Sequence, residues 1–498
     1  MKNIVAEIVE RRKKDIAERG FCFGFSIPEK RTRPVNQFMV KKGVILEVKR
    51  ASPSKGDIAP NLDAAETALK YRANGADAIS CLTEENYFKG NLRDLIDVCK
   101  AVSDIAVLRK DFLIDEQEIE ISYRCGADAV LLIAGILTLE KLLSMTAKCS
   151  ELGIRALVEV RTEEDVQKVL EVKKQFADTI VCGVNSRNLK DFSIDFLVPA
   201  MLKQKLGGDL IFESGITTPE AAAKVASMGF TGILLGEFAA KNPEKAGTFV
   251  EAFKKHNENL YGTKMLELAR KVNAAQIFSA KPVQTGEAQG TNAHPIARPL
   301  VKICGLTQLC DVLLADELGA DFVGFIFATE FRRNVYGKKF ELIQNELKKI
   351  RAFKVAVITR PESEEAHAAA ELVKQGVLDF VQIHGIPYEQ CPDFLIEVPH
   401  YFAVTGKERI EKSSVDSLIA KGEGRFLQDC RAHIYGTNEH LWLAGGVTAE
   451  NVSELIKTFS PELVDVSSGI EDGQVGIKNP QKMKDFFAAI KTTCGCDW

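Results

Sequence analysis

The sequence predicts an α/β fold of two tandem (β/α)8 TIM barrels, and three observations carry that prediction. Strand-like and helix-like runs alternate through both halves of the 498-residue chain, the pattern of parallel β/α winding. The phrase Gly-Ala-Asp recurs at Gly75, Gly126 and Gly319 where a helix-like run gives way to a strand-like one; glycine ends the helix and the next residues open the strand. One pattern is also written twice. Ile211-Phe-Glu-Ser-Gly215-Ile-Thr, a helix-like run and Gly232-Ile-Leu-Leu-Gly236 are echoed by Leu441-Trp-Leu-Ala-Gly-Gly446-Val-Thr, a helix-like run and Val464-Asp-Val-Ser-Ser-Gly469. Loops after strands seven and eight of such a barrel commonly hold phosphate, because backbone N–H groups approach an anion only where side chains are absent. Each barrel is therefore expected to serve a phosphorylated substrate.

Eight strands are predicted in the first half, at residues 44–49, 78–82, 106–109, 129–134, 155–160, 179–185, 210–213 and 232–235. A second series of eight follows at 301–304, 322–327, 355–359, 380–384, 401–404, 425–428, 441–444 and 463–466, packed into fewer residues, so short helices and trimmed loops are expected there. Between the series, residues 276–299 are rich in Thr, Gly, Ala, Gln, Asn and Pro without periodicity and read as a flexible linker, preceded by one more helix near 264–275. The expected organisation is a first barrel with its amino-terminal extension over 1–255, a connecting helix and linker over 256–299, and a second barrel over 300–498. An open doubly wound sheet also alternates strand and helix. Eight strands per unit, with no GxGxxG turn after a first strand, favour the barrel.

Two barrels of roughly 250 residues each would account for the length. With 65 basic and 69 acidic residues there is no excess positive charge for a nucleic-acid partner, so substrate charge must be met by a few local residues. The amino terminus sets apolar residues at helical spacing among charges and lacks the apolar core of a signal peptide; no run reaches membrane-spanning length. Most of the 12 cysteines sit inside apolar patterns without CxxC pairs, which points to a reduced, cytoplasmic setting. Cys494-Gly-Cys496 reads as a frayed tail. No HExxH, paired CxxC or dinucleotide pattern is present, so neither metal nor organic cofactor is expected. Tandem fusion makes a monomer the expected state.

Polar residues at the carboxyl ends of barrel strands point into the active face. In the first half those ends read Glu47-Val-Lys49-Arg-Ala-Ser52-Pro-Ser, Leu108-Arg-Lys110-Asp-Phe, Val158-Glu159-Val, Val184-Asn185-Ser-Arg187-Asn-Leu189 and Glu213-Ser214-Gly215. Any one charge could be a salt bridge at the mouth. Burying this many at one end is hard to justify without chemistry, and lysines held near carboxylates suit acid–base work on a carbonyl or hydroxyl group. Together, and in this order, these motifs resemble indole-3-glycerol phosphate synthase across residues 1 to about 255. The resemblance implies ring closure of 1-(2-carboxyphenylamino)-1-deoxyribulose 5-phosphate with loss of carbon dioxide and water. It casts Lys110 as the general acid on the ketose carbonyl, and Glu159 and Lys49 as the dehydration pair, their donor and acceptor roles left open. Glu47, Asn185, Arg187 and Glu213 would hold the substrate, and Ser52, Ser214, Gly215 and Gly236 its phosphate. Residues 1–42 would form a helical extension over the mouth.

In the second half the strand ends read Val301-Lys-Ile-Cys304-Gly-Leu-Thr, Val381-Gln-Ile-His384-Gly and Phe426-Leu-Gln-Asp429-Cys. A cysteine accepts a proton only if its thiolate is favoured by a neighbouring cation or donor, and Cys304 taken alone would more often be a small buried hydrophobe; His384 alone reads as a packing residue. With Leu443-Ala-Gly-Gly446-Val-Thr, Val464-Asp465-Val-Ser-Ser468-Gly469-Ile and Gly476-Ile-Lys, these motifs resemble phosphoribosylanthranilate isomerase over roughly residues 300–498. That resemblance implies an Amadori rearrangement of N-(5-phosphoribosyl)anthranilate, with Cys304 as general base, Asp429 as general acid, Asp465 and Arg333 near the substrate, and Gly446, Ser468 and Gly469 on the phosphate. Three segments depart from the family pattern: Phe331-Arg-Arg333 replaces Ser-Pro-Arg, Val357-Ile-Thr-Arg360 lacks the usual asparagine, and Cys430-Arg-Ala-His-Ile-Tyr-Gly436-Thr carries one glycine where several are usual. Altered substrate fit or rate is expected from them. The alternative for this half is a structural or regulatory module without catalysis, and for the whole a different sugar-phosphate isomerase or aldolase, since fold alone does not settle chemistry.

Overall fold

A computed structural model describes residues 4–188, 192–278, 297–436 and 440–495. The chain divides into two compact units, one carried chiefly by residues 1–259 and the other chiefly by residues 260–498. Each contains a closed barrel of eight parallel strands.

In the first barrel the strands are Gly43–Val48, Ala78–Leu82, Ala106–Lys110, Ala129–Ile133, Arg155–Val160, Ile180–Asn185, Leu210–Glu213 and Gly232–Leu235. Strand one closes the cylinder by pairing with both strand two and strand eight, at Ile45↔Ala78 and Gly43↔Gly232. The strands are almost wholly buried and read as runs of Val, Ile, Leu and Ala, because helices cover one face and the barrel interior the other. The interior is filled by Ile45, Ala78, Ala106, Leu108, Ala129, Leu131, Leu157, Val181, Ile211 and Leu234, together with Phe38 from the segment before strand one. Side chains alternate in and out along a strand. Continuing that parity from Ile45, Leu108, Leu157, Val181 and Ile211 brings Glu47, Lys110, Glu159, Asn185 and Glu213 to the inward side at the carboxyl end.

The amino-terminal extension is a helix, Ile4–Arg19, with Ile8, Arg12 and Asp15 on its buried side. Ile4, Val5 and Ile8 line the cavity at the barrel mouth. Arg12 anchors the helix: its guanidinium meets Asp111 Oδ1 at 3.0 Å and, through Nε, Glu118 Oε1 at 2.8 Å. Asp111 also accepts from Arg109 at 3.1 Å, so the anchor joins the chain next to Lys110. Residues 38 and 39 serve elsewhere, with Phe38 among the interior side chains.

The second barrel's strands are Leu300–Ile303, Phe322–Ile326, Phe353–Ile358, Phe380–His384, His400–Gly406, Phe426–Cys430, Trp442–Ala444 and Leu463–Val466. Its interior is aromatic. Phe322 packs within 6.5 Å, centroid to centroid, of Phe353, Phe380, Tyr401 and Trp442. The same parity carries inward-facing Leu300, Phe380, Leu427 and Leu463 on to Lys302 and Cys304, Gln382 and His384, Asp429, and Asp465. Several helices of this unit are short, among them Leu309–Glu317, Lys338–Gln344, Asp393–Ile396 and Val452–Phe459. The helix Leu260–Phe278 belongs to this unit, where Lys264 pairs with Asp379 at 2.9 Å. The linker expected over 276–299 lies mainly outside the described residues, as do Leu189 and Cys496.

The recurring Gly-Ala-Asp joint has a physical cause. Gly75, Gly126 and Gly319 adopt positive φ of 86°, 104° and 96°, a left-handed helix end open to glycine at little cost. The aspartates that follow, Asp77, Asp128 and Asp321, each accept the backbone N–H at the start of the preceding strand, from Val44, Val107 and Val301, at 2.9 Å in all three cases. Their own N–H groups donate back to the carbonyls of those residues. The phrase therefore fastens each strand to its neighbour at the end opposite the mouth.

Candidate active sites

The first mouth brings Glu47, Lys49, Ser52, Lys110, Glu159, Asn185, Arg187, Ser214, Gly215 and Gly236 around one cavity. Lys110 Nζ donates to Glu213 Oε2 at 2.7 Å and lies 3.7 Å from Glu159 Oε2. Lys49 Nζ sits 2.8 Å from Glu47 Oε1, while Ser80 Oγ donates to Glu47 Oε2 at 3.4 Å. Asn185 orients Glu159 by donating to its Oε1 at 3.1 Å and accepts the Arg187 backbone N–H at 2.9 Å.

Burial works against the charge on Lys110, but Glu213, Glu159 and Glu47 outweigh it and hold the ammonium above the ordinary lysine range. The acid at the centre of the site stays protonated. Burial raises Glu213, helped by the nearby Glu159 and Glu47 charges and opposed by Lys110, to about 7. Its Oε1 is buried against Gly183 and has no hydrogen-bond partner among the described residues; Glu213 itself does not line the cavity and reaches it through Lys110. For Glu47 the balance goes the other way: burial favours the neutral acid, yet Lys49 and Lys110 pull it below the usual carboxylate range.

Two glycines make room for this cluster. A Cβ on Gly236 would stand 2.5 Å from Glu47 Oε1, and one on Gly183 2.0 Å from Glu213 Oε1. Gly215, at φ +77, follows Ser214, itself at φ 69. At Gly236 the bare backbone of the expected phosphate grip and the space needed by Glu47 and Lys49 are supplied by one position. Ser80 is not legible as a site residue in the sequence because it lies inside an apolar strand, two residues before its end at Leu82.

The second mouth gathers Cys304, Arg333, Gln382, His384, Asp429, Arg431, Gly445, Gly446, Asp465 and Ser468 around one cavity. Gly469 does not line it; a Cβ there would meet the Val447 carbonyl oxygen at 2.0 Å, so its glycine serves close packing of the two loops. Lys302 Nζ donates to Asp465 Oδ2 at 2.6 Å. Burial pushes the Cys304 thiol above its ordinary range, with Asp465 adding to the effect and Lys302 opposing it. Cys304 is thus a thiol in the free protein. Burial also lowers His384, which keeps its ring neutral beside Asp429, 3.8 Å away. The ring is positioned by Gln382 at 3.2 Å, and Gln382 in turn accepts from Tyr401 at 2.9 Å.

Arg333 reaches the cavity despite its altered surroundings, held by Glu471 at 2.8 and 2.7 Å. Lys478 also pairs with Glu471, at 3.0 Å. The loop after Asp429 is braced by side chains in place of glycines. His433 bonds the Gly445 carbonyl at 2.8 Å, Tyr435 donates to the Ala444 carbonyl at 3.2 Å, and Gly436 N donates to Gln428 at 2.8 Å. Arg360 turns to Thr329 at 2.6 Å and to Glu365 at 2.5 Å. Lys302 was signalled in the sequence by lying two residues before Cys304 on the same strand face; Glu471 and Lys478 lie in a loop whose return to the mouth no local pattern announces.

Fold and sites define a tandem (β/α)8 protein in which each mouth joins acid–base side chains to a glycine-bearing loop pair. Residues 7–251 match the family model described as indole-3-glycerol phosphate synthase, and residues 301–489 the one described as N-(5'-phosphoribosyl)anthranilate (PRA) isomerase. The chain belongs to the indole-3-glycerol phosphate synthase family through its first half and carries the phosphoribosylanthranilate isomerase domain in its second. An indole-3-glycerol phosphate synthase of Bacillus cereus is 36% identical over 240 residues, covering 48% of this chain and 92% of the relative. A multifunctional tryptophan biosynthesis protein of Schizosaccharomyces pombe is 30% identical over 490 residues, covering 91% of this chain and 60% of the relative. The chain thus spans about 60% of the length of the multifunctional relatives it matches. A solved phosphoribosylanthranilate isomerase of Thermotoga maritima is 29% identical, with 39% of this chain and 99% of that one covered and a TM-score of 0.32.

Proposed function

We propose that the chain catalyses two consecutive steps on one phosphorylated scaffold. In the second barrel, Asp429 gives a proton to the ribose ring oxygen of N-(5-phosphoribosyl)anthranilate, opening the ring to an imine. Cys304, once deprotonated, takes the proton from C2, and the resulting enamine tautomerises to the ketose 1-(2-carboxyphenylamino)-1-deoxyribulose 5-phosphate. In the first barrel, Lys110 protonates the ketose carbonyl as the anthranilate ring attacks it. Carbon dioxide leaves the ring carbon, and Glu159 and Lys49 share the proton transfers that expel water, giving indole-3-glycerol phosphate. Glu47, Asn185, Arg187 and Glu213 hold this substrate, with Ser52, Ser214, Gly215 and Gly236 at its phosphate. In the second barrel Arg333 and Asp465 flank the substrate, with Gly446 and Ser468 at its phosphate.

The observation that carries the reading is the Lys110 ammonium, kept charged between Glu213 at 2.7 Å and Glu159 at 3.7 Å in a glycine-lined cavity. A protonated, well-ordered acid is what carbonyl addition requires. All described cysteines are free, and no described helix is long and apolar enough to cross a membrane, which fits the proposed cytoplasmic setting.

The test is to supply N-(5-phosphoribosyl)anthranilate and follow indole-3-glycerol phosphate. Cys304→Ala should stop use of that substrate yet still convert the ketose, and Lys110→Ala should do the reverse, each loss being roughly a hundredfold or more, as expected for a lost acid or base. Wild-type protein that converts only the ketose would reduce the second barrel to a structural module. Borohydride trapping at Lys49 or Lys110 would replace the synthase chemistry with an aldolase's.

A further inference from the structure

We propose that Arg431 binds the substrate phosphate in the second barrel, a role that rests on the isomerase reading of that site. The substrate is a polyanion, carrying a phosphate and a carboxylate, and the cavity must offer it positive charge. Most of the basic groups at this mouth are already committed. Lys302 is tied to Asp465 at 2.6 Å, Arg333 to Glu471 through both carboxylate oxygens, and Lys478 to Glu471 at 3.0 Å. His384 is neutral. Arg431 lines the same cavity, is exposed to solvent, and has no ion pair among the described residues. A charged donor without an acid partner is the group an incoming anion meets at least cost, since nothing must first be broken.

Its place in the fold selects the phosphate. Arg431 leaves the strand Phe426–Cys430 two residues after Asp429 and passes over Gly446, where a Cβ would lie 3.9 Å from the Arg431 carbonyl oxygen. Gly445, Gly446, Ser467 and Ser468 line that side of the cavity. His433, bonded to the Gly445 carbonyl at 2.8 Å, fixes the loop against them. This segment is where the chain exchanges a glycine-rich loop for side chains, so the bulk that lowers loop freedom also supplies a guanidinium.

The full chain with Arg431→Gln should show a KM for N-(5-phosphoribosyl)anthranilate raised about tenfold, with kcat within about twofold, because losing a bond made equally in the ground and transition states raises KM alone. Inhibition of the isomerase step by inorganic phosphate should weaken by a similar factor, inhibition by anthranilate should not, and Arg431→Lys should recover part of the loss. Unchanged phosphate inhibition would overturn the assignment, and weakened anthranilate inhibition in its place would move Arg431 to the carboxylate. If wild type lacks isomerase activity, the functional reading has failed but Arg431 can still be judged by titrating both proteins with inorganic phosphate. The first barrel contributes equally to each, so loss of one phosphate site in Arg431→Gln supports the assignment and equal stoichiometry and affinity refute it.

Discussion

Cys304 and Lys110 show how a residue's place can be legible in sequence while its working state is not. Both stand at strand ends and both line their cavities. Sequence motifs locate them, but only the surroundings decide protonation: carboxylates hold Lys110 charged, whereas burial keeps Cys304 a thiol. Alkylation of Cys304 by iodoacetamide should therefore be slow at neutral pH and accelerate with a midpoint above the ordinary thiol value of about 8.5. Mass spectrometry of the modified peptide, set against exposed Cys310, measures this directly. A midpoint below that of Cys310 would mean that Lys302 already stabilises the thiolate in the free protein.

Among elements, the amino-terminal helix and the Gly-Ala-Asp joints differ in how far sequence reaches. The joints are local, so glycine and aspartate announce them; the helix depends on Arg12 meeting Glu118, 106 positions away, which no local pattern reveals. Arg12→Met leaves Glu118 without its guanidinium partner and weakens the hold on Asp111, at a cost of about 3–5 kcal/mol. Urea unfolding should show the loss in the first barrel. The synthase KM should rise while isomerase kcat/KM stays unchanged, because Ile4, Val5 and Ile8 would no longer be held against the cavity. In the second barrel, Asp321→Ala removes bonds to Val301 N and Arg298 Nη2. A destabilisation of about 2–4 kcal/mol is expected for two charge-assisted bonds at that buried strand end, with little change in KM because the joint lies away from the mouth.

At the scale of the whole molecule, the two barrels were legible because hydrophobic strands, glycine stops and inward parity agree with one another through both series. What escaped is part of the charge balance: Glu471 on Arg333 and the uncommitted Arg431 are set by which loops return to the same mouth, whereas Lys302 and Asp465 meet as register partners on adjacent strands. Independence of the two sites predicts that a mixture of the Cys304→Ala and Lys110→Ala proteins restores the full conversion, with a lag that shortens as protein concentration rises. Failure of the mixture would mean that at least one of the substitutions damages both barrels.

The unpartnered oxygen of Glu213 has a thermodynamic consequence. With its titration centred at about 7, the carboxyl is part protonated at neutral pH before any ligand arrives. An anionic substrate that engages Lys110 weakens the one cation holding Glu213 ionised, and the residue takes a proton from solution. Association with the first barrel should thus register in calorimetry as a heat that varies with the ionisation enthalpy of the buffer. In the Glu213→Gln protein that buffer dependence should vanish, and with it the decline in affinity as pH rises through about 7.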